Sequence, residues 1–397
     1  SSPPQPLRSS AAASGVRGLR VMLPSAIRSI QRLAQRPLQP VTIRQLLARS
    51  AKVSEADHLQ HAAWVREEMP VRLAHRLADF LHLPFAVVCN ARFHEVFRLF
   101  LHAFETLMAS EPVTDKESLA EFSQMLRSLV RGHDEIVHLL QEGYGELQVM
   151  LNDMVDLDAF LNQTFKTRIG NRVLAEHFLA VHEARQQGRA SECTGVVHPN
   201  CCPAEIVDRL TYSLGGLCRE LYGVEPRVRL EGQLDTTLSF VPDHLTFMLQ
   251  EILKNAFRAT IERHMDSSAE LPPVVVEVMK GSFDVNLKVA DCGGGMRREK
   301  LAQIWRYGYT SIKDPGTSPH DDGGSLLSGL CGQDVSSFRQ IAGYGFGLPL
   351  SRVYAQYFGG DIVVQSMHGY GTDVYLNINH LGGVNQAGAE HERIVAS

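Results

Sequence analysis

Apolar residues recur at helical spacing through most of the first half of the chain, and strict alternation appears only in the second. From residue 23 to 47 the segments IRSIQRLAQRP and VTIRQLLAR predict two helices separated by a Pro37–Pro40 turn, with Pro40 near the start of the second, where a missing N–H costs little. Another helix is expected over His58–Glu68, and Pro70 opens a further one that runs to Leu81, before a break at Pro84. Phe93–Met108 carries a core-like face of Phe93, Val96, Phe97, Phe100, Leu101, Phe104 and Leu107. Ser118–Gly143 reads as one long helix continuing through 144–150, and Asp156–Glu183 as another, with Phe160, Leu161, Phe165, Ile169, Val173, Leu174 and Phe178 on its apolar side. No comparable strand pattern interrupts this half, so an all-helical bundle is expected.

Near Gly188 the texture changes. Gly195–Val197 predicts a short strand, Cys202–Tyr222 a helix, and Arg227–Leu230 and Thr237–Phe240 two more strands. A helix over 243–264 follows, with Met248, Leu249, Ile252, Leu253 and Ala256 on its apolar side. VVVEVMK at 274–280 and VNLKVA at 285–290 make two convincing strands; Leu348–Phe358 is helical, and DIVVQSM and TDVYLNIN form a closing hairpin around HGYG. The fold class is therefore α+β, an N-terminal helical bundle followed by an α/β sandwich. The expected organisation is a disordered or residual leader segment over 1–22, a helical domain over 23–188, an α/β domain over 189–381 and a flexible tail over 382–397.

Composition changes this picture little. A chain of 397 residues exceeds one compact core, in keeping with two domains. With 44% hydrophobic and 21% charged residues and a formal charge of -5, it has the balance of a globular protein and offers no global argument for binding nucleic acid. No apolar run of about 20 residues predicts a membrane span. The seven cysteines are scattered, as expected of reduced thiols; Cys201–Cys202 with His198 and Cys193 lacks the second pair that a zinc site needs. Residues 1–54 contain no Asp or Glu but many Arg, an asymmetry like that of a mitochondrial transit segment grading into the first helix, or of a basic solubilising tail.

The chemistry concentrates around FMLQEILKNAFRAT. Glu251, Asn255 and Arg258 lie four and then three residues apart, which puts a carboxylate, a carboxamide and a guanidinium near one another on one helix surface. Such a row suits a transferable proton, a metal-bound phosphate and phosphate charge; a solvated face with i,i+4 contacts uses the same residues. Asp291 stands at the carboxyl end of a strand, followed by Gly293, Gly294 and Gly295, so an acidic oxygen could read an adenine amino group while bare backbone approaches the base; a plain turn is the alternative. Gly343, Gly345 and Gly347 alternate with Tyr344 and Phe346 just before Leu348 and its helix, exposing backbone donors where phosphates are favoured. This is neither the dinucleotide fingerprint, which needs a preceding first strand, nor a phosphate loop with its lysine. Residues 309–342, rich in Gly, Ser, Asp and Thr, are long for a connection and read as a lid over nucleotide or as an inert insertion. Thr372 enters a strand from which its hydroxyl could reach the pocket floor, or serves only the strand.

In this order and spacing, ExxKNAxRAT, DxGGG, GxGFGLPxSR and GxGTDVYL resemble the mitochondrial kinases that phosphorylate the E1 subunit of the pyruvate and branched-chain 2-oxo acid dehydrogenase complexes, members of the GHKL ATPase/kinase superfamily. RPLQPVTIRQLL and REEMPVRLAH extend the resemblance through the N-terminal half, so that it spans about residues 24 to 381. The resemblance implies a GHKL-type ATP-binding domain with its lid at 309–342, and a serine kinase that uses ATP and Mg2+ to inactivate its complex in the mitochondrial matrix. It implies Glu251 as general base and Asn255 as the magnesium-coordinating residue. Arg258 falls on the phosphate side, Asp291 on adenine, and Gly293 and Gly295 on the adjoining turn. Gly343, Tyr344, Gly345, Phe346, Gly347 and Leu348 match the phosphate-loop motif, and Thr372 the closing GT element. Lys254, also in the signature, suits structural support as well as ATP contact. The implied partners are the E1α substrate, the lipoyl-bearing domain of the E2 core, docked on the helical domain, and a second copy of the chain joined through the nucleotide-binding domains; K+ is a further implied ion, with no residues assigned to it.

Two positions depart from the pyruvate-directed pattern: Phe247 replaces a histidine one turn before Glu251, and Cys292 replaces an arginine. The aromatic at 247, the segments LAEHFLAVHE and YGVEPRVRLEG, and a tail without the Asp-Trp element of the pyruvate-directed kinases lean the reading towards the branched-chain type, with the pyruvate type as the alternative. Within the superfamily, His182-Glu183 and His133-Asp134 superficially offer the phosphoacceptor of a histidine kinase, but neither has the usual flanking residues. An ATPase or chaperone-like protein without a protein acceptor, and an inactive scaffold, are the remaining readings.

Overall fold

Eight helices realise the periodicity of the first half among the described residues, but their breaks differ from those expected. The computed structural model describes residues 24–39, 41–51, 54–151, 156–189, 195–265, 270–309 and 345–379. The leader segment, the tail, Gly343, Tyr344 and all of the expected lid except Tyr309 lie outside these. Helices α1 (Pro24–Leu33) and α2 (Ile43–Ser50) are separate, and a reciprocal capping box between Thr42 and Gln45 starts the second. The two helices expected around Pro70 are one, α3 (Glu55–Leu81). Proline removes one backbone bond, yet Met69, Val71, Leu73 and Ala74 are all buried and the buried pair Arg72–Glu68, at 3.0 Å, spans the proline turn. Tertiary burial overrides the local breaker. Conversely, the single helix expected over 118–143 is two, α6 (Lys116–Gly132) and α7 (Ile136–Leu151), interrupted by a turn in which His133 meets the Leu99 carbonyl at 3.3 Å and stacks edge-on against Phe100. A short helix α4 (Phe85–Val88) follows Pro84, then α5 (Ala91–Ala109), and α8 (Asp158–Gln186) completes the series.

The chain divides into two compact units. The first comprises residues up to Leu38 together with Ala62–Gln163. Its core is aromatic: Phe80 packs edge-on against Phe160, Phe97 and Phe100, and Phe93, Phe100 and Phe104 are fully buried. Each such phenylalanine contributes roughly 1.5–3 kcal/mol of burial.

The second unit comprises Gln39–His61 and everything from Thr164 onward. It holds strands β1 (His198–Cys201), β2 (Val228–Gly232), β3 (Leu238–Phe240), β4 (Val274–Lys280), β5 (Asp284–Asp291), β6 (Asp361–Met367) and β7 (Gly371–Asn379). The first lies just beyond the expected 195–197, because Gly195 sits in a turn at φ +69°, tight against the His177 ring. β1 pairs with β3, while the others form a sheet ordered β2-β4-β5-β7-β6, parallel only between β2 and β4. Val276, Val278, Leu287, Val289, Ile362 and Leu376 are buried on one face of that sheet. Helices α10 (Pro242–His264) and α12 (Gly347–Tyr357) pack on the sheet, α9 (Pro203–Tyr222) packs on α10, and α11 (Arg298–Leu301) is a single turn. The architecture is thus a helical region followed by a mixed α/β sandwich.

Candidate nucleotide site

Helix α10 begins with proline at its first position and Asp243 in its first turn, both favourable at a helix N-terminus. Twelve of its side chains are buried, and Glu251 is among them at 3% exposure. A buried carboxylate needs a partner, and the partner is on the next turn: Lys254 Nζ donates to both Glu251 oxygens, at 2.6 and 2.7 Å. On its other side Glu251 meets Gly347, the first residue of α12; a Cβ there would overlap Oε2. The glycine is required because the carboxylate lies where a side chain would go.

The polar row read from spacing is arranged differently from the expected cluster. Asn255, one turn beyond Glu251, is exposed. Arg258 turns away along the helix, its Nε donating to Glu262 at 2.6 Å. Lys254, not Arg258, is the cation that the helix brings to Glu251. Phe247, one turn before Glu251, is buried and packs on Tyr354 with ring centroids 5.0 Å apart. His244 meets the Tyr354 ring edge-on, with centroids 4.7 Å apart; burial, with help from Arg172 and Arg168, pushes its pKa down to about 3 and keeps the imidazole neutral.

At the other end of the site the sheet supplies a row across three strands. Asp291 on β5, Thr372 on β7 and Ser366 on β6 are consecutive register partners. Asp291 Oδ1 accepts backbone N–H groups from Gly293 at 2.8 Å and Thr372 at 3.2 Å. Burial raises its pKa above the ordinary carboxylate value, with nearby Asp373 adding to the rise and the two backbone donors opposing it. Both donors use one oxygen, and Oδ2 accepts from none of the described residues. Thr372 and Ser366 exchange a hydroxyl bond at 3.0 Å, and Ser366 Oγ accepts from Met296 N at 2.7 Å. Ser366 escaped the sequence reading; its place in DIVVQSM, on the same face as Thr372, was the available signal.

Two glycines of the DCGGG turn are conformationally demanded. Gly295 has φ +61° and lies against the Met367 and Gly371 carbonyls, while Gly293 has no room for a Cβ beside Ala259 of α10. This turn ties β5 to both the helix and the hairpin. Cys292 is exposed, and its carbonyl meets His264 Nε2 at 3.1 Å.

Of the second glycine motif, Gly345 adopts φ +70° against the Tyr309 carbonyl, Phe346 is fully buried, Gly347 opens α12 and Leu348 is half-buried. The α12 N-terminus and its unsatisfied N–H groups therefore adjoin Glu251. Among the described residues no group of three or more His, Cys, Asp or Glu could hold a metal ion. An exposed carboxamide one turn from Glu251 suits Mg2+, which takes one or two protein ligands and fills its shell with phosphate oxygens and water.

The two histidine–acid pairs are engaged otherwise. His182 contacts His58 through one ring nitrogen at 3.1 Å and Gln186 through the other at 3.0 Å, and His133 is held in the α6–α7 turn.

Comparison with known proteins matches residues 40–198 to the family described as mitochondrial branched-chain alpha-ketoacid dehydrogenase kinase, and residues 240–381 to the family described as histidine kinase-, DNA gyrase B-, and HSP90-like ATPase. The chain is 31% identical over 344 residues to the mitochondrial [pyruvate dehydrogenase (acetyl-transferring)] kinase of Arabidopsis thaliana, covering 86% of this chain and 90% of that protein. It is 29% identical to the corresponding kinase of Drosophila melanogaster, over 80% and 76% of the two chains, and 29% identical to isozyme 4 of Rhinolophus ferrumequinum, over 89% and 84%. The chain belongs to the mitochondrial 2-oxo acid dehydrogenase kinase family, within the GHKL ATPase superfamily.

Proposed function

We propose that the protein is an ATP-dependent serine kinase of the mitochondrial matrix that phosphorylates the E1α subunit of a 2-oxo acid dehydrogenase complex and inactivates it. The observation that carries this reading is the buried Glu251 carboxylate, held by Lys254 and pressed against Gly347 at the start of α12. A pure binding module has no need to bury a carboxylate at the phosphate end of its pocket, whereas transfer to a hydroxyl needs a base placed there. Glu251 orients the incoming serine hydroxyl and takes its proton. Lys254, held to both oxygens, fixes the carboxylate's direction, and Phe247 offers no titrating assistant. Asn255 and the α12 N-terminus face the phosphates, and Mg2+, when bound with the nucleotide, spreads the charge of the β- and γ-phosphates. Asp291 Oδ2 accepts from the adenine amino group, with Thr372 and Ser366 beneath. Most of the rate comes from positioning and charge stabilisation.

The curated relatives are named for the pyruvate complex, which favours pyruvate dehydrogenase E1α as acceptor. A branched-chain acceptor is the second reading, favoured by Phe247 and by the family matched at 40–198. In either case residues 23–188 form the helical region that docks the lipoyl-bearing domain of E2, and two copies associate through their nucleotide-binding domains, with K+ as a further ion. The test is a panel of both E1α proteins, each with and without its E2 core, incubated with labelled ATP and either the wild type or Glu251→Gln. Serine phosphate on one E1α identifies the acceptor; free phosphate alone supports an ATPase, and equal transfer by wild type and variant removes Glu251 as base.

A further inference from the structure

Phe165 lies on α8, outside all four nucleotide-site motifs, in the part of that helix that belongs to the second compact unit. Its ring is fully buried and packs against two others: Tyr307, with centroids 5.6 Å apart, and Phe346, at 6.2 Å in an edge-on arrangement. Tyr307 and Phe346 are themselves 4.8 Å apart and just as buried. The contact does not end with the rings. Gly345 sits so close to the backbone of Gly308 and Tyr309 that a Cβ would overlap it, and the residue after Phe346 is Gly347, which abuts the Glu251 carboxylate. A continuous run of contacts therefore leads from Phe165 through Phe346 and Gly347 to Glu251.

We propose that Phe165 is a positioning residue for phosphoryl transfer: its ring seats Phe346 against Tyr307 and so fixes the Gly345–Gly347 backbone relative to Glu251. The proposal rests on the reading of Glu251 as base. Three features separate it from ordinary core filling. Phe346 stands at the N-cap of α12, so its placement sets where the helix N-terminus points. The flanking glycines have no side chains with which to hold the loop, which leaves Phe346 as the large anchor between them. Edge-on aromatic packing also fixes orientation, which an aliphatic side chain of similar volume does not.

The test compares Phe165→Leu and Phe165→Ala with wild type in four measurements: kcat on E1α, KM for E1α, the Kd of a fluorescent ATP analogue, and thermal unfolding. Since a misplacement of about 1 Å costs on the order of 100-fold in rate, Phe165→Leu is expected to lower kcat about tenfold and weaken the ATP analogue about threefold. KM for E1α should stay within about twofold and unfolding should remain cooperative. Phe165→Leu combined with Phe346→Leu should lose no more than the larger single effect, because both act on one seat. Unchanged kcat and nucleotide Kd with only a lower melting temperature, or strictly additive losses in the double variant, would overturn the proposal. If Phe165→Ala does not fold, the leucine variant and the double-variant comparison decide. Failure of the wild type to phosphorylate either E1α would refute the kinase reading instead, and the analogue Kd would still decide whether Phe165 seats the nucleotide loop.

Discussion

The two ends of the candidate site hold their carboxylates in different ways. Glu251 lies on a helix, buried, with a lysine bonded to both oxygens and a glycine clearing space in front of it. Asp291 ends a strand and is bonded to no cation among the described residues; two backbone N–H groups satisfy one oxygen, and burial raises its pKa. A side-chain cation can shift or release its hold as a proton moves, which suits a group that changes charge during a reaction. Backbone donors fixed by a sheet cannot shift, which suits a group that reads a ligand's shape. The difference suits the proposed division of labour, with transfer at the helix end and recognition at the strand end.

The sharpest way to break that division is to neutralise each carboxylate in turn. Glu251→Gln keeps the size of the side chain but removes the base, and kcat should fall by about 10²–10⁴. The Kd of an ATP analogue should move by no more than about twofold to threefold, because the proposed nucleotide contacts lie elsewhere. Asp291→Asn should do the reverse. Replacing the acceptor with an amide that can present a donor to adenine should weaken the analogue by about 10- to 100-fold, the equivalent of 1–3 kcal/mol for an unsatisfied buried group, while kcat at saturating ATP is largely retained. Stopped-flow nucleotide binding and initial-rate kinetics on E1α read both. A large loss of nucleotide affinity in Glu251→Gln would merge the two ends into one.

Acid sharpens the contrast further, because buried neutral imidazoles lie on the helical side of the larger unit. His61 and His244 have pKa values pushed down to about 3, and His58 and His177 to about 4, with burial as the first cause in every case. In the unfolded chain each titrates near its ordinary 6.5, so the unfolded state binds more protons between pH 6.5 and 4. Stability is therefore fully present above pH 6.5 and is lost as pH falls through that window, by up to about 1.4 kcal/mol per pH unit for a fully buried histidine such as His244. Melting temperatures should change little from pH 7.5 to 6.5 and then fall steadily to pH 5. The variant His244→Phe should flatten the slope, and an unchanged slope would show that His244 is not among the groups responsible.

Much of this arrangement was legible in the sequence, and what was not has physical reasons. The alternating strands and the apolar stripe of α10 placed Asp291, Thr372 and Glu251 in the right elements, because periodicity reports burial directly. The continuity of α3 through Pro70 was not legible, because it depends on tertiary burial and the Arg72–Glu68 pair, not on local propensity. Spacing puts Lys254 one turn and Arg258 two turns from Glu251 along the helix; it cannot say which way each long side chain turns, and Arg258 pairs with Glu262. Phe165 looked like a core residue and is one, yet its partners come from a remote segment that no helical period could indicate.

Ser366 offers the smallest and most specific test. It carries no motif of its own, but its hydroxyl bonds Thr372 and accepts the Met296 N–H, so it couples the closing strand to the chain that leaves the DCGGG turn. If the strand end is a rigid recognition surface, Ser366→Ala removes one neutral hydrogen-bond partner from Thr372 and another from Met296. The expected loss is about 0.5–1.5 kcal/mol, read as a threefold to tenfold weaker ATP analogue with kcat unchanged. Thr372→Ala should produce a loss of the same order, and the double variant less than the sum, since the two hydroxyls share one bond. Full additivity would mean that the hydroxyls act separately, and that the Asp291–Thr372–Ser366 row is a set of neighbours without a common function.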